Sequence, residues 1–222
     1  MKNMMFAFGF SIISSYCVAG GGFSVGNGGD IIRCPILESY LSLDFVLVST
    51  SKSKVANVES KEESFNRIGN ILEKNIPELA GSYRNFTKLI FNENDLSQYY
   101  IWNQVSNLPD IQDEEFLNIP GVCGLPSYGP ADMHQAVIRE FVRTALYPLG
   151  QVTFSYDPQA IALLKNDPLQ LSFLFTHEWL WNIALDAKAN RAINYFLHSK
   201  EIDKLSVSEV RSRLKAFGAV IN

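Results

Sequence analysis

Apolar side chains recur at helical spacing along the N-terminal half of the chain. The helices predicted from this spacing cover residues 35–45, 60–76 and 78–91. Ser60 and Glu63 form a capping box that opens the second helix, and Pro77 ends it because proline cannot continue the helical hydrogen bonding. The N-terminal half is therefore predicted to be a set of amphipathic helices.

The C-terminal third is also predicted to be helical, because two Asp-Pro pairs mark helix starts. Asp157 and Asp167 each place a capping carboxylate directly before a proline that suits the first helical turn. The helix after Asp167 is very apolar and is predicted to run to about residue 184. Further helices are predicted over residues 187–199 and 206–217.

Between these helical regions the pattern changes to one typical of strands. Residues 135–142 and 151–156 are rich in β-branched and aromatic side chains, and a turn-prone stretch separates them. We expect the two segments to pair antiparallel around a longer loop, and residues 99–102 to form a strand or a docked loop. The predicted fold class is mainly helical α+β, with a small antiparallel sheet packed beside the helix that follows Asp167.

The N-terminus has the features of a secretory signal peptide. Residues 1–19 combine one basic residue, Lys2, with an apolar stretch and small residues at the positions that precede cleavage after Ala19. Residues 20–33 are glycine-rich and are predicted to be a flexible segment before a single globular domain of residues 34–222. No later apolar run reaches membrane-spanning length, so we expect an exported soluble protein, either periplasmic or secreted.

The net charge of the chain limits the kinds of binding partner that we expect. The full chain carries a net charge of −4 at pH 7, and loss of Lys2 with the signal peptide makes it one unit more negative. An acidic surface is a poor match for nucleic acid or for an anionic membrane. The expected partner is therefore an unknown protein, peptide or glycan.

Three cysteines are present, and one of them, Cys17, lies in the predicted signal peptide. Cys34 and Cys123 remain in the mature chain, and an even pair in an oxidising compartment predicts one disulfide. The alternative is two buried free thiols, because the sequence does not prove that the two residues are close.

A His-Glu pair lies in the middle of the apolar helix after Asp167. His177 and Glu178 are flanked by aromatic residues, among them Trp179 and Trp181. Burying a carboxylate and an imidazole in such surroundings is costly unless both find partners. The pair is therefore the strongest candidate for a functional or a specially supported site.

Residues 151–199, which contain a strand, a capped helix start and the His-Glu helix, resemble the active-site half of zincin-like metallopeptidases. The resemblance implies that His177 takes the position of the first zinc ligand and Glu178 that of the general base that activates water. Trp181 stands where the second histidine of the HExxH motif belongs. The chain thus resembles a secreted zincin-like protein with a degenerate HExxH helix, expected to bind no cofactor.

Zinc stays open as an alternative, because three histidines are a known catalytic ligand set. The chain contains only His134, His177 and His198. His198 shares a helix face with Asn194, so that face could approach the His-Glu helix. In this alternative the protein is a metal-dependent hydrolase with unconventional ligands and with Glu178 as its catalytic residue.

A structural interpretation of the pair is also open. In it Glu178 accepts a hydrogen bond from Arg191 or Arg139, and His177 binds a backbone carbonyl or a tyrosine hydroxyl. The leading functional hypothesis is a binding or envelope-associated protein that lacks the standard zinc site, and whether it is an enzyme stays undecided. Trp181, Arg191 and Asn194 are the candidate binding residues.

A third alternative is a glycan- or peptide-binding module with an aromatic cleft. The aromatic residues that could form such a cleft are Tyr99, Tyr100, Trp102, Trp179 and Trp181. An exposed Trp102 would favour this alternative over a role in the core.

Overall fold

The computed structural model describes residues 29–34, 38–48, 54–91, 100–106, 108, 134–136, 138–144 and 151–221. Its helices are α1 (Leu43–Val48), α2 (Lys61–Asn75), α3 (Pro77–Phe91), α4 (Pro158–Ala162), α5 (Pro168–Leu180), α6 (Ala187–His198) and α7 (Val207–Ala216). A short 3₁₀ helix, Ile202–Lys204, precedes α7. The strands are β1 (Asp30–Cys34), β2 (Ser39–Ser42), β3 (Tyr100–Gln104), β4 (His134–Ala136), β5 (Ile138–Thr144) and β6 (Gln151–Tyr156). The predicted signal peptide and the first part of the glycine-rich segment lie outside the described residues.

Two small sheets accompany the helices. In the first, β1 lies between β2 and β4, and both pairings are antiparallel. In the second, β6 lies between β3, which runs parallel to it, and β5, which runs antiparallel. The predicted mainly helical α+β fold is confirmed. The segment predicted as one strand over residues 135–142 is divided between the two sheets: β4 pairs with β1, whereas β5 pairs antiparallel with β6 as predicted.

The prediction of a helix over residues 35–45 was wrong for its central part. Ser39–Ser42 is strand β2, and its residues pair with β1 in the register Ile31 to Ser42 through Cys34 to Ser39. The four residues of β2 carry little periodic signal of their own, and the pairing with β1 overrides the helical spacing. Helix α1 begins only after this strand.

Strand β1 contains the last residues of the glycine-rich segment 20–33, and residues 20–28 of that segment lie outside the described ranges. Gly29 is buried, and β1 starts at Asp30 and is the central strand of the first sheet. A central strand has both edges hydrogen-bonded, so these residues are held firmly in the fold.

Side-chain caps fix the helix starts where the sequence indicated them. Asp157 accepts from the N–H of Gln159, and Asp167 accepts from the N–H of Gln170. Ser206 forms a complete capping box at the start of α7. Helix α5 ends at Leu180 and not near residue 184, because the chain turns at Trp181.

Helix α5 is the centre of the molecule, since every residue from Leu169 to Leu180 is buried. It contributes to two hydrophobic clusters, with Phe173 in one and Trp179 in the other. Phe173 meets Phe45 of α1 edge to face at 5.6 Å, and Trp179 meets Tyr83 of α3 at 5.1 Å. None of the helices in the described ranges is long and apolar enough to cross a membrane.

Candidate functional site

The polar residues of α5 define the candidate site, because all of them are buried in an otherwise apolar helix. They are Gln170, Ser172, Thr176, His177 and Glu178. A buried polar group without a hydrogen bond costs on the order of 1 to 3 kcal/mol, so each of these side chains needs a partner. The partners come from β2, α1, α3, α6 and Gly29, which directly precedes β1, so the site connects distant parts of the chain.

His177 pairs with Asp44, the second residue of α1. The His177 Nδ1 atom lies 2.8 Å from one Asp44 carboxylate oxygen and 3.0 Å from the other, and both side chains are almost fully buried. A carboxylate can only accept here, so Nδ1 carries the proton and donates it. The Trp181 ring meets the imidazole edge to face at 5.8 Å.

Helix α6 completes the surroundings of the Asp44 carboxylate. The Asn194 amide donates to Asp44 at 2.6 Å and to the main-chain carbonyl of Phe173 at 2.8 Å. The Arg191 Nε atom lies 3.7 Å from Asp44. Burial, the largest single influence, raises the pKa of Asp44, whereas the charge of His177 and its hydrogen bond lower this pKa. Arg191 and Asn194 add to the lowering, so the pKa of Asp44 lies below its usual value and the carboxylate is charged at neutral pH.

Glu178 is bound by the main chain of the N-terminal segment. Its Oε1 atom accepts a hydrogen bond from the N–H of Gly29, and the carboxylate is fully buried. A Cβ atom at Gly29 would lie 2.7 Å from Leu174 Cδ1 and 2.9 Å from Glu178 Oε1. Only glycine therefore lets the chain approach α5 this closely.

His198 and Ser172 form a second polar contact between α5 and α6. The Nδ1–H group of His198 donates to the Asn194 carbonyl at 2.8 Å, so Nε2 accepts from the Ser172 hydroxyl at 2.9 Å. Burial lowers the pKa of His198 to about 4, chiefly because desolvation penalises the imidazolium, and the imidazole ring stacks on Phe173 at 3.9 Å. His198 is thus neutral at pH 7.

Within the described ranges, the predicted metal ligands do not form a site. In the part of the chain that is described, no group of three His, Cys, Asp or Glu residues could hold a metal ion. His177 directs Nδ1 at Asp44, and His198 uses both ring nitrogens in other hydrogen bonds. Only the backbone of His134 is described, in β4 opposite Ile32 of β1.

The predicted binding residues occupy two different environments. Arg191 and Asn194 are buried against Asp44, so they belong to the polar core and not to an exposed surface. Trp181 is half-buried at the end of α5. Trp179 is fully buried and cannot line an open aromatic cleft, and the side chain of Trp102 lies outside the described residues.

Two partners in this network were missed by sequence reasoning. Asp44 reaches His177 across 133 positions, and Gly29 reaches Glu178 across 149 positions. The structural interpretation named a backbone carbonyl or a tyrosine for His177, and the structure provides a carboxylate. An acidic residue in the first turn of an otherwise apolar segment was the available signal for Asp44.

The predicted disulfide stays a prediction. Cys34 ends strand β1 and is fully buried, and Cys123 lies outside the described residues. A buried position is compatible with a protected disulfide.

No protein family model, no curated protein and no solved structure matches this chain. The resemblance of residues 151–199 to zincin-like peptidases therefore stays a prediction from the sequence, and the site must be interpreted from its own geometry.

Proposed function

We propose that this protein is an exported binding protein with a zincin-like His-Glu helix that supports the fold instead of holding catalytic zinc. The observation that carries this proposal is the contact of Glu178 with Gly29. A peptidase of this class needs the glutamate to face a metal-bound water. Here the carboxylate is fully buried and accepts a main-chain N–H group, at a position where even one added carbon atom would collide.

The surroundings of His177 support the same proposal. Its partners are the carboxylate of Asp44 and, through its main-chain carbonyl, the amide of Asn190 at 3.0 Å. Trp181 occupies the place of the second metal ligand and packs on the imidazole. Buried ionic groups that are paired in this way fix the arrangement of the elements that carry them.

The test is the metal content of the mature protein and its affinity for zinc. We expect elemental analysis to find far less than one zinc ion per chain. Equilibrium dialysis against micromolar zinc should reveal no saturable site. His177→Ala, checked for folding by circular dichroism, serves as the control. One zinc ion per wild-type chain that is lost in this variant would overturn the proposal, and dialysis of the wild type alone decides the matter if the variant does not fold.

A metal-dependent hydrolase is the second candidate, and one observation favours it. Histidines that bind catalytic metal ions almost always donate their other ring N–H to a carboxylate, as His177 does to Asp44. Stoichiometric zinc together with cleavage of labelled casein would favour this candidate. Loss of that cleavage in Glu178→Gln with the zinc retained would then identify the general base.

Export is part of the proposal and rests on residues 1–19. Expression of the full chain in a bacterial host should yield a periplasmic product with Gly20 as its first residue. Intact mass measurement of a product that retains Met1 or Lys2 would contradict export by signal-peptide cleavage.

A further inference from the structure

Strand β1 fills a cleft that several other parts of the chain form. Its main chain pairs with β2 on one side and with β4 on the other. Gly29, directly before the strand, donates its N–H to Glu178 of α5. Three side chains of the strand are fully buried and contribute to both hydrophobic clusters, namely Ile31, Ile32 and Cys34. Residues 29–34 therefore act as one unit that is seated between β2, β4 and α5.

The cleft is built entirely from elements that follow β1 in the chain. β1 is the first of the described elements, and a single connection of four residues, 35–38, joins it to β2. Every contact described above joins β1 or the glycine before it to an element beyond this connection. A second copy of the chain therefore offers β1 the same cleft. Seating β1 there reproduces each contact and requires a different conformation only of the connection.

The connection carries backbone strain at Glu38. Among the described residues, Glu38 is the only one other than glycine with a positive φ, and this angle is 47°. A residue with a Cβ atom is disfavoured in this left-handed region, and hairpin connections normally place Gly, Asn or Asp there. The Glu38 side chain is exposed, so packing in the core does not compensate for the strain. An extended connection between two copies relieves it.

We infer that two copies of this chain form a domain-swapped dimer, in which each copy seats residues 29–34 of the other between its own β2 and β4. Residues 35–38 are the hinge of this exchange. Short hinges under strain favour such an exchange, because the closed form carries the strain and the exchanged form does not. The exchange is reciprocal, so it closes into a dimer with two-fold symmetry. This inference concerns assembly and does not depend on whether the His-Glu helix binds zinc.

Two cysteines give the exchanged dimer a covalent signature. Cys34 precedes the hinge and moves with β1, whereas Cys123 follows the hinge. The predicted disulfide between them therefore lies within one chain in the monomer and between two chains in the exchanged dimer. Copies that associate only through their surfaces keep this disulfide within each chain. A gel run without reductant thus distinguishes exchange from ordinary association.

The test measures the oligomeric state of the mature wild type in a glutathione redox buffer, which lets disulfides exchange until equilibrium is reached. Sedimentation velocity from about 1 to about 500 µM should show a dimer fraction that rises with concentration, as mass action requires. Each sample is then alkylated and run on an SDS gel without reductant. We expect a band of twice the chain mass, in the same proportion as the dimer, that reductant converts to the single chain.

Variants at Glu38 should shift this equilibrium in opposite directions. Glu38→Gly relieves the strain of the closed form by about tenfold per chain, so it should raise the dissociation constant of a dimer with two hinges about a hundredfold. Proline fixes φ near about −65° and cannot adopt the closed conformation, so Glu38→Pro should be mainly dimeric even at about 1 µM. Glu201→Gly is the matched control, because Glu201 is also exposed but has an unstrained φ of −63°. Its dissociation constant should equal that of the wild type.

Three results would each contradict the exchange. The first is a wild type that stays monomeric at every concentration. The second is a dimer whose chains separate on the gel without reductant although both cysteines are oxidised. The third is a dissociation constant that is the same for the wild type and Glu38→Gly. If the cysteines are reduced, or if Glu38→Pro does not fold, the comparison of the wild type with Glu38→Gly and Glu201→Gly decides. The proposed function is judged separately by the zinc measurement.

Discussion

Asp44 is predicted to be among the most sensitive positions in the protein. Its carboxylate is 3% exposed and accepts hydrogen bonds from His177 at 2.8 Å and from Asn194 at 2.6 Å. Asp44→Ala removes the acceptor for both donors at once. It also leaves Arg191 without the carboxylate that lies 3.7 Å away.

The expected loss follows from these contacts. Removing one partner of a buried ion pair costs about 3 to 5 kcal/mol, because the remaining charge is left in a poorly solvating interior. Asn194 keeps its second hydrogen bond, to the Phe173 carbonyl, so its share of the loss is small. We therefore expect Asp44→Ala to lower the free energy of unfolding by about 3 to 5 kcal/mol. Asp44→Asn retains the shape and one acceptor and should lose about 2 to 3 kcal/mol.

The assay is urea unfolding at pH 7, followed by circular dichroism. Glu201→Gln is the control, since Glu201 pairs with Arg213 at 2.8 Å on the surface with both side chains about half exposed. The control should change the free energy of unfolding by less than about 1 kcal/mol. An effect of Asp44→Ala no larger than that of the control would refute the assignment of Asp44 as the centre of the buried network.

The pH dependence provides a second check on the same residue. The pKa of Asp44 is lower in the folded chain than its value of 3.8 in the absence of partners. The stabilisation is therefore fully present above the unfolded pKa and is lost as the pH falls through the folded pKa. The difference in stability between the wild type and Asp44→Asn should shrink below about pH 4.

Three further predictions concern other parts of the fold. Because the pKa of His198 falls from 6.5 to about 4 on folding, the unfolded chain binds more protons than the folded chain between these pH values. In urea titrations, lowering the pH from 7 to 4 should therefore reduce the free energy of unfolding by about 3 kcal/mol through His198, and His198→Gln should remove this contribution. Gly29→Ala should lower the free energy of unfolding by about 1 to 3 kcal/mol through overpacking against α5, whereas Gly81→Ala, whose Cβ would meet nothing within 4 Å, should raise it by about 0.5 to 1 kcal/mol. Intact mass after alkylation, with and without reductant, should show one disulfide between Cys34 and Cys123, and two alkylated thiols without reductant would contradict it.

The parts of the fold that the sequence predicts well are those fixed by local chemistry. Asp157, Asp167 and Ser206 each cap the helix that follows them, and each helix begins where the capping pattern indicates. Strand β2 was missed because four residues carry little periodic signal, and a neighbouring strand decides their conformation. The two strands that pair with β1 are β2 and β4, and a long stretch of sequence separates them. No local pattern can anticipate this arrangement.

The sequence indicated that the buried polar residues of the site need hydrogen-bond partners, but it did not indicate which residues those partners are. Burial cost indicated that His177 and Glu178 must have partners, and both do. The identity of the partners depends on contacts made across 133 and 149 positions. Sequence reasoning considered a metal, an arginine or a carbonyl for this role, and the fold provides Asp44 and the main chain of Gly29.

The buried polar contacts of α5 explain how so apolar a helix adopts one orientation. A helix that is apolar on nearly all sides can be buried in several rotations about its axis with similar loss of exposed surface. Its polar side chains distinguish these rotations, because each one meets its partner in only one of them. The contacts are Gln170 with the Ser42 N–H, Ser172 with His198, Thr176 with Tyr83, His177 with Asp44, and Glu178 with Gly29. Buried ion pairs are often no more stabilising than apolar residues of equal volume. We therefore infer that these five contacts serve to specify the rotation of α5 and the position of the N-terminal strand against it. The His-Glu pair thus has a sufficient physical reason to be present without any metal.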